Sequence, residues 1–535
     1  KRQTFFLPLR TFLFKIIKMK KLKLVCVAIA MACATPTLAG GLLTNTNQHV
    51  AFDRMMSREA SIGIDGVYYN PAGVVFMSEG HHLAINWQLA FQTRTINNDY
   101  ALFTNNVNNP TTPRDFKGTA FAPVIPSFQY AYNKGKWSFQ ASFALTGGGG
   151  KCTFDDGLGS FEKIVAETAI AACQLAGAVD QVAALHGVPA VFTKDDKFGT
   201  KGQYSYNSYM HGRQYYYGLS VGAAYKFSDN FSAFLGVRGV YALTNYYGYV
   251  ENIQVGQMPL YKVLNPAKES SANIELSCDQ SGVGFTPIIG VDYKTGRWNF
   301  SAKYEFKTRI RLKNKSVNQI PSIGNLPDNL RNAYIANGVP EAAADAILSN
   351  PKIQGVMIGL KTQFDQKLNE AIGEYEDGKK IAGDIPAYLA LGVGYSPVDA
   401  VRVNVGFHWF DDKNATSYNN RNKELKRGTL EYNAGVEVDV NKKITLSTGW
   451  QNTNYGLSDE YMDDKSFVVS SNSVAVGGVY HINKKMDLNV AYFHTFYQHK
   501  KTTETVQLTA DRSLNYSSDY TRNNNVFAVG LDINF

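Results

Sequence analysis

Nine histidines are spread along the chain, and none belongs to a recognisable nucleophile, metal or carboxylate constellation. His81 and His82 open an alternating run, while His408, His494 and His499 stand near the ends of others. No GxSxG, HExxH or phosphate-loop spacing occurs, so the sequence is read as that of a non-enzyme without metal or cofactor. The chemistry on offer is recognition. Arg238, Lys303 and Arg402 are candidates to hold an anionic head group by charge-assisted hydrogen bonds. Phe52, Phe234 and Phe493 are candidates to line an apolar pocket, although buried phenylalanines serve more often as packing.

The elements that would position these side chains are strands. In the last ten residues Phe527, Val529, Leu531, Ile533 and Phe535 alternate with Ala528, Gly530, Asp532 and Asn534, giving one face for lipid and one for a lumen. Trp298, Phe300, Ala302, Tyr304 and Phe306 alternate in the same way with Asn299, Ser301, Lys303, Glu305 and Lys307. A Lys or Arg facing lipid at mid-bilayer costs about 2 to 4 kcal/mol, so the charged face must be the lumen. Leu430, Tyr432, Ala434, Val436 and Val438 oppose Glu431, Asn433, Glu437 and Asp439, which puts carboxylates inside as well. The expected fold class is all-β, a transmembrane antiparallel barrel.

Strands are predicted near residues 81–93, 123–133, 136–147, 214–228, 230–247, 284–295 and 297–311, then 385–396, 400–411, 427–440, 442–454, 472–482, 486–499 and 523–535, about 14 in all. Tight turns such as Asn133-Lys134-Gly135-Lys136 and Thr295-Gly296-Arg297 alternate with long connections, the pattern of short periplasmic turns and long outer loops. Two outer connections, about 148–213 and 312–384, carry apolar residues at helical spacing. Phe161, Ile164, Val165, Thr168, Ala172, Leu175, Val179, Val182 and Leu185 mark the first. Ile353, Val356, Met357, Leu360, Phe364, Leu368 and Ile372 follow the Asn350-Pro351 start of the second. These stripes either pack on each other and on the rim or leave a greasy groove open to the medium.

Residues 1–18 are read as an upstream extension, and 19–39 as a secretory signal: Met19, Lys20, Lys21 and Lys23 precede an apolar run from Leu24 to Ala34 and then Thr37-Leu38-Ala39. That run is too short to span a bilayer, and no later stretch is expected to do so as a helix. Removing residues 1–39 takes away eight of the 54 basic residues and no acidic one, leaving 46 against 45. The apparent basicity disappears, and with it any case for nucleic acid. Of five cysteines, Cys152, Cys173 and Cys278 remain in an oxidising compartment, where a Cys152–Cys173 disulfide is one option.

Residues 40–79 precede the barrel, 80–535, and contain Ser61-Ile62-Gly63-Ile64-Asp65-Gly66 followed by Tyr68-Tyr69-Asn70-Pro71-Ala72-Gly73. This segment resembles the N-terminal hatch of the FadL-like family of outer-membrane transporters of long-chain fatty acids and other hydrophobic compounds. Asn70, Pro71, Ala72 and Gly73 carry the likeness at a position after a signal peptide and before the first strand. The resemblance implies a hatch plugging a barrel of about 14 strands in the Gram-negative outer membrane, surrounded by lipid and lipopolysaccharide and working as a monomer. It further implies passive uptake: capture of a long-chain fatty acid or similar ligand between the helical loops, transfer to a lumen pocket, and lateral exit through the wall. The run Gly147, Gly148, Gly149 and Gly150 at the end of the third strand is the candidate lateral gate, since consecutive glycines weaken pairing and permit a kink. The alternatives are a general diffusion porin and an outer-membrane receptor or adhesin.

Overall fold

The computed structural model describes residues 43–44, 47–194, 201–321, 326–509 and 512–535. The expected extension and signal, 1–39, lie outside the described residues. Fourteen antiparallel strands close into a barrel. In chain order they are β1 Gly80–Tyr100, β2 Arg114–Lys134, β3 Trp137–Phe154, β4 Tyr204–Lys226, β5 Phe231–Val255 and β6 Ile274–Thr295. Next come β7, in two pieces Trp298–Glu305 and Arg311–Gln319, and β8, in two pieces Lys380–Ala382 and Tyr388–Val398. The rest are β9 Val401–Phe410, β10 Thr429–Asn441, β11 Ile444–Asn454, β12 Ser471–Asn483, β13 Met486–Tyr497 and β14 Arg512–Asn534. Closure is by β14 on β1, in register from His82–Asn534 to Tyr100–Tyr516.

Alternation decides which face is which. Trp87, Phe121, Leu219, Leu235, Phe285 and Phe527 are exposed on the outside, whereas Asn86, Gln129, Ser232 and Gln451 are buried inside. An apolar band around a closed barrel with a polar interior is a lipid-facing surface. The break in β7 shifts its register by one residue, so Glu305 and Thr308 both point inward.

Helix α1, Val50–Met55, belongs to the N-terminal segment. The first long outer loop holds α2, Gly159–Leu185, and the second holds α3 Leu326–Ala336, α4 Glu341–Leu348 and α5 Pro351–Ile372. Contrary to expectation, α2 is long and apolar enough to cross a membrane. It does other work: Phe161, Ile164 and Val165 pack into a cluster on the barrel rim, and Val179 and Val182 pack into a second cluster with Leu330, Tyr334, Ile347, Ile353 and Met357 of α3–α5. No disulfide joins Cys152 to Cys173.

Residues 47–79 lie inside the lumen, and the inward polar side chains of the strands hold them by their backbone. Asn133 donates to Val74 O at 2.8 Å, Gln140 to Pro71 O at 2.7 Å, Ser232 to Ala72 O at 2.7 Å, Asn299 to Ala60 O at 2.8 Å and Lys303 to Tyr68 O at 2.7 Å. A segment with little regular structure thus has its carbonyls satisfied in a buried place. Gly435 and Gly449, cross-strand partners on β10 and β11, make room: a Cβ on either would collide with Met55 O.

Candidate functional site: a cavity beside an unpaired stretch of wall

Asn70 turns the N-terminal segment. Its side chain donates to Asp292 at 2.6 Å and accepts from Gly73 N at 3.2 Å, and a Cβ at Gly73 would collide with it. Above this turn Phe52 stacks on Tyr69, with ring centroids 5.5 Å apart, and joins Met56, Tyr68, Ala475, Phe493 and Val526 in an apolar cluster. That cluster forms a floor. Over it lies a cavity of about 210 Å³ whose lining includes Phe493, Val526, Phe154, Phe467, Val468 and Ile125 on the apolar side.

Two guanidinium groups enter the same cavity. Arg94 of β1 and Arg522 of β14 are cross-strand partners. Arg94 donates to Gln92 at 3.1 Å, and Arg522 lies 5.0 Å from the Tyr497 ring with its buried Nε unpartnered. Neither makes an ion pair with a carboxylate among the described residues. Like charges directly opposite on a sheet destabilise it by roughly 0.2 to 1 kcal/mol. A negative group between them would remove that repulsion, and the apolar lining would take a hydrocarbon attached to it.

The wall beside the cavity is not fully paired. The β2–β3 ladder reaches Ala120–Cys152 and resumes only at Ser127–Ala144, leaving Phe121 to Pro126 without partners on β3. Pro123 and Pro126 cannot donate to a ladder, which accounts for the β2 side. On the β3 side, Gly148 and Gly150 have φ of 85° and 100°, a region that favours glycine, and the pairing with β4 shifts at Leu145/Gly147 and again at Gly148/Gly150. Ala120, Ile125, Gly148, Gly150 and Cys152 line both the interruption and the cavity. Outside it, Phe121 and Val124 are exposed toward lipid.

The residues expected from sequence are distributed differently. Phe493 lines the cavity, and Phe52 lies in the cluster beneath it. Phe234 packs lower down against Ala72, Val75 and Ile288. Arg238 and Lys303 are not at the cavity: both bind Glu305, at 2.6 and 3.0 Å, beside the Tyr68 ring. Arg402 bonds Glu437 at 2.9 Å and Asp439 at 2.6 Å and lines a vestibule of about 1600 Å³ at the turn end of the barrel. That vestibule is the larger opening, but Lys294, Arg297, Asp399, Lys442 and Lys484 around it suit water, not hydrocarbon. Of the loop stripes, Phe161, Ile164 and Val165 pack on the rim and Val179 and Val182 pack against Ile353 and Met357, while a cleft of about 20 Å³ lies among Phe161, Met210, Tyr246 and Tyr375.

Arg94 and Arg522 escaped the sequence reading because each falls one residue beyond a predicted strand end. The signal for the interrupted wall was two prolines, Pro123 and Pro126, in a strand that otherwise alternates.

No protein-family model and no curated protein sequence matches the chain. Among solved structures it is similar to a Pseudomonas aeruginosa FadL homologue, with 14% identity over 93% of this chain and 100% of that one and a TM-score of 0.57. A TodX deletion mutant, a monoaromatic hydrocarbon channel, aligns with 14% identity over 91% and 98% at a TM-score of 0.50. The Pseudomonas putida toluene transporter TodX aligns at 14% identity over 88% and 94%, with a TM-score of 0.47. The chain has the FadL-like fold, a closed antiparallel barrel of 14 strands.

Proposed function

We propose that this barrel sits in the Gram-negative outer membrane and passively takes up long-chain fatty acids or similar hydrophobic molecules. The observation that carries the proposal is the coincidence of one cavity, two unneutralised arginines and an unpaired wall segment. Residues 40–79 act as the hatch behind a signal peptide at 19–39, and the chain works as a monomer. A ligand captured at the rim enters beside the helical loops, settles with its carboxylate between Arg94 and Arg522, and leaves sideways past Gly147, Gly148, Gly149 and Gly150. The barrel needs no cofactor and catalyses no reaction in this scheme.

Magnitudes favour the sideways route. Ten methylenes stepping into water would cost roughly 8 kcal/mol at about 0.8 kcal/mol each, and the polar vestibule below the hatch offers only water. Leaving through the wall keeps the chain in an apolar medium. A general diffusion porin fits less well because the lumen is filled and hydrogen-bonded shut at the level of Asn70.

The decisive experiment is equilibrium binding of a fluorescent long-chain fatty acid to the purified barrel, with oleate, toluene and a sugar as competitors. Displacement by oleate alone is expected. Displacement by toluene would move the ligand class to neutral aromatics, and the absence of saturable binding would remove the proposal.

A further inference from the structure

The outer wall carries a second unneutralised cationic group, unrelated to the lumen. Beyond the break in β7, Arg309, Arg311, Lys313 and Lys315 occupy alternate, outward and exposed positions. Lys380 of β8 is also exposed and is the cross-strand partner of Lys313. Arg311 shares the buried Asp384 at 2.8 Å. Arg309, Lys313, Lys315 and Lys380 form no ion pair among the described residues. Asp279, opposite Lys315, is the nearest carboxylate across the β6–β7 ladder, and Asn245 donates to it at 2.8 Å.

Height on the barrel decides what this strip meets. Below it on the outside of β7 run Trp298, Phe300, Tyr304 and Phe306, all apolar or aromatic. Trp298 lies about 11 residues below Arg309, a rise of roughly 28 Å at about 3.3 Å per residue and about 40° of tilt. The apolar band of such barrels is about 25 Å tall, so Arg309 emerges at the outer boundary of the hydrocarbon. On the neighbouring strand Val283 and Phe285 are 65% and 70% exposed and mark the last of the apolar band. The charges then continue upward, on the side of the long loops.

Like charges directly opposed on a sheet edge toward repulsion, and Lys313 with Lys380 is such a pair. A second stands on the same outer wall: Lys151 and Arg213, both exposed, are partners across β3 and β4. Two uncompensated pairs on the outer wall, the first about four residues above the boundary at Arg309, point to an anionic counterpart outside the chain. We propose that the strip formed by Arg309, Lys313, Lys315 and Lys380 binds the phosphate groups of outer-leaflet lipopolysaccharide. Lipid A fits because it places fixed phosphates at the boundary where these side chains emerge, with acyl chains beside Phe285 and Phe306. The inference rests on the outer-membrane placement proposed above and is independent of the ligand in the lumen.

The test is titration of the purified barrel in detergent with hexa-acylated lipid A, with its dephosphorylated form and with phosphatidylglycerol, read by native mass spectrometry. Wild type is expected to retain lipid A in preference to both controls. The triple variant Lys313→Gln, Lys315→Gln, Lys380→Gln should bind it about 100-fold more weakly, from roughly a fivefold factor per basic side chain near an anionic surface. Equal retention by wild type and variant, or equal binding of dephosphorylated lipid A or phosphatidylglycerol, would overturn the assignment. Fluorescent fatty acid binding by the same variant should be unchanged, which also shows that the variant is folded and keeps failure of this inference separate from failure of the lumen reading.

Discussion

In the lower lumen Arg238 and Lys303 share Glu305, Arg54 and Arg58 converge on Glu437, and His408 sits between Glu59 at 2.7 Å and Glu431 at 2.8 Å. In the upper lumen Arg94 and Arg522 face each other without a carboxylate. The ladders repeat the contrast, because β2 and β3 pair from Lys134–Trp137 up to Ser127–Ala144 and then separate beside the cavity. The same strands build both levels. What differs is whether charge and backbone are already satisfied by the protein, and that distinguishes a seam from a site.

The largest effect should come from breaking the seam. Glu305→Gln would leave two buried cations unpaired, and removing one partner of a buried ion pair costs about 3 to 5 kcal/mol. Urea unfolding of the barrel in detergent should register that loss. A change below about 1 kcal/mol would mean that the lower charges are solvated and that the seam is not what holds residues 47–79.

Neutralising the upper pair should do the opposite. Arg94→Gln with Arg522→Gln removes a like-charge cross-strand contact, so stability should hold or rise by roughly 0.2 to 1 kcal/mol. Fatty acid affinity should fall about 10- to 100-fold, the worth of a hydrogen bond to a charged group at about 1.5 to 3 kcal/mol. Titration with the fluorescent ligand would show it. Unchanged affinity with the carboxylate ligand would reduce the cavity to a packing defect.

Much of the fold behind this contrast was legible beforehand, and the part of the site that was not has a physical cause. Strand count, faces and turns follow from alternation, which is repeated fourteen times and tolerates local error. Asn70 and Pro71 were singled out by their resemblance to a family hatch motif, and the structure has Asn70 bonded to Asp292 and Gly73. Arg238, Lys303 and Arg402 were correctly read as inward, but inward does not mean available: Glu305 lies two residues from Lys303 on the same face and takes both it and Arg238. Arg94 and Arg522 were lost because alternation fades where strands rise above the membrane and both faces become polar. Strand ends are where periodicity is weakest, and here the ends carry the site.

A smaller effect would sharpen the comparison at the wall. Gly148→Val with Gly150→Val places side chains at φ of 85° and 100°, and a Cβ at Gly148 would also collide with Gln214 O. Each strained position costs of order 1 to 3 kcal/mol. Uptake of labelled fatty acid by whole cells should slow about fivefold if roughly 1 kcal/mol of that strain falls on the exit step, with binding to the purified barrel little altered. Unchanged uptake would show that the interruption is not the exit.

The smallest predicted effect concerns the cover of the upper region. Asp464, in the loop between β11 and β12, accepts from Ser160 N at 2.9 Å in the first turn of α2. Burial, and then the neighbouring Asp463, push its carboxyl up to about 6. A carboxyl whose folded pKa lies above its unfolded value stabilises the folded arrangement when protonated. The contribution is therefore complete below about pH 4 and is lost as pH rises through about 6. Hydrogen exchange over residues 455–470, corrected for intrinsic rates, should be slower at pH 5 than at pH 7.5, and Asp464→Asn should remove the difference. Exchange over residues 47–79, in the lower lumen, should be the same in wild type and Asp464→Asn at either pH, because the bonds that hold this segment do not involve Asp464. A parallel change at both levels would mean that the whole barrel interior titrates as one unit, and the division into seam and site would fail.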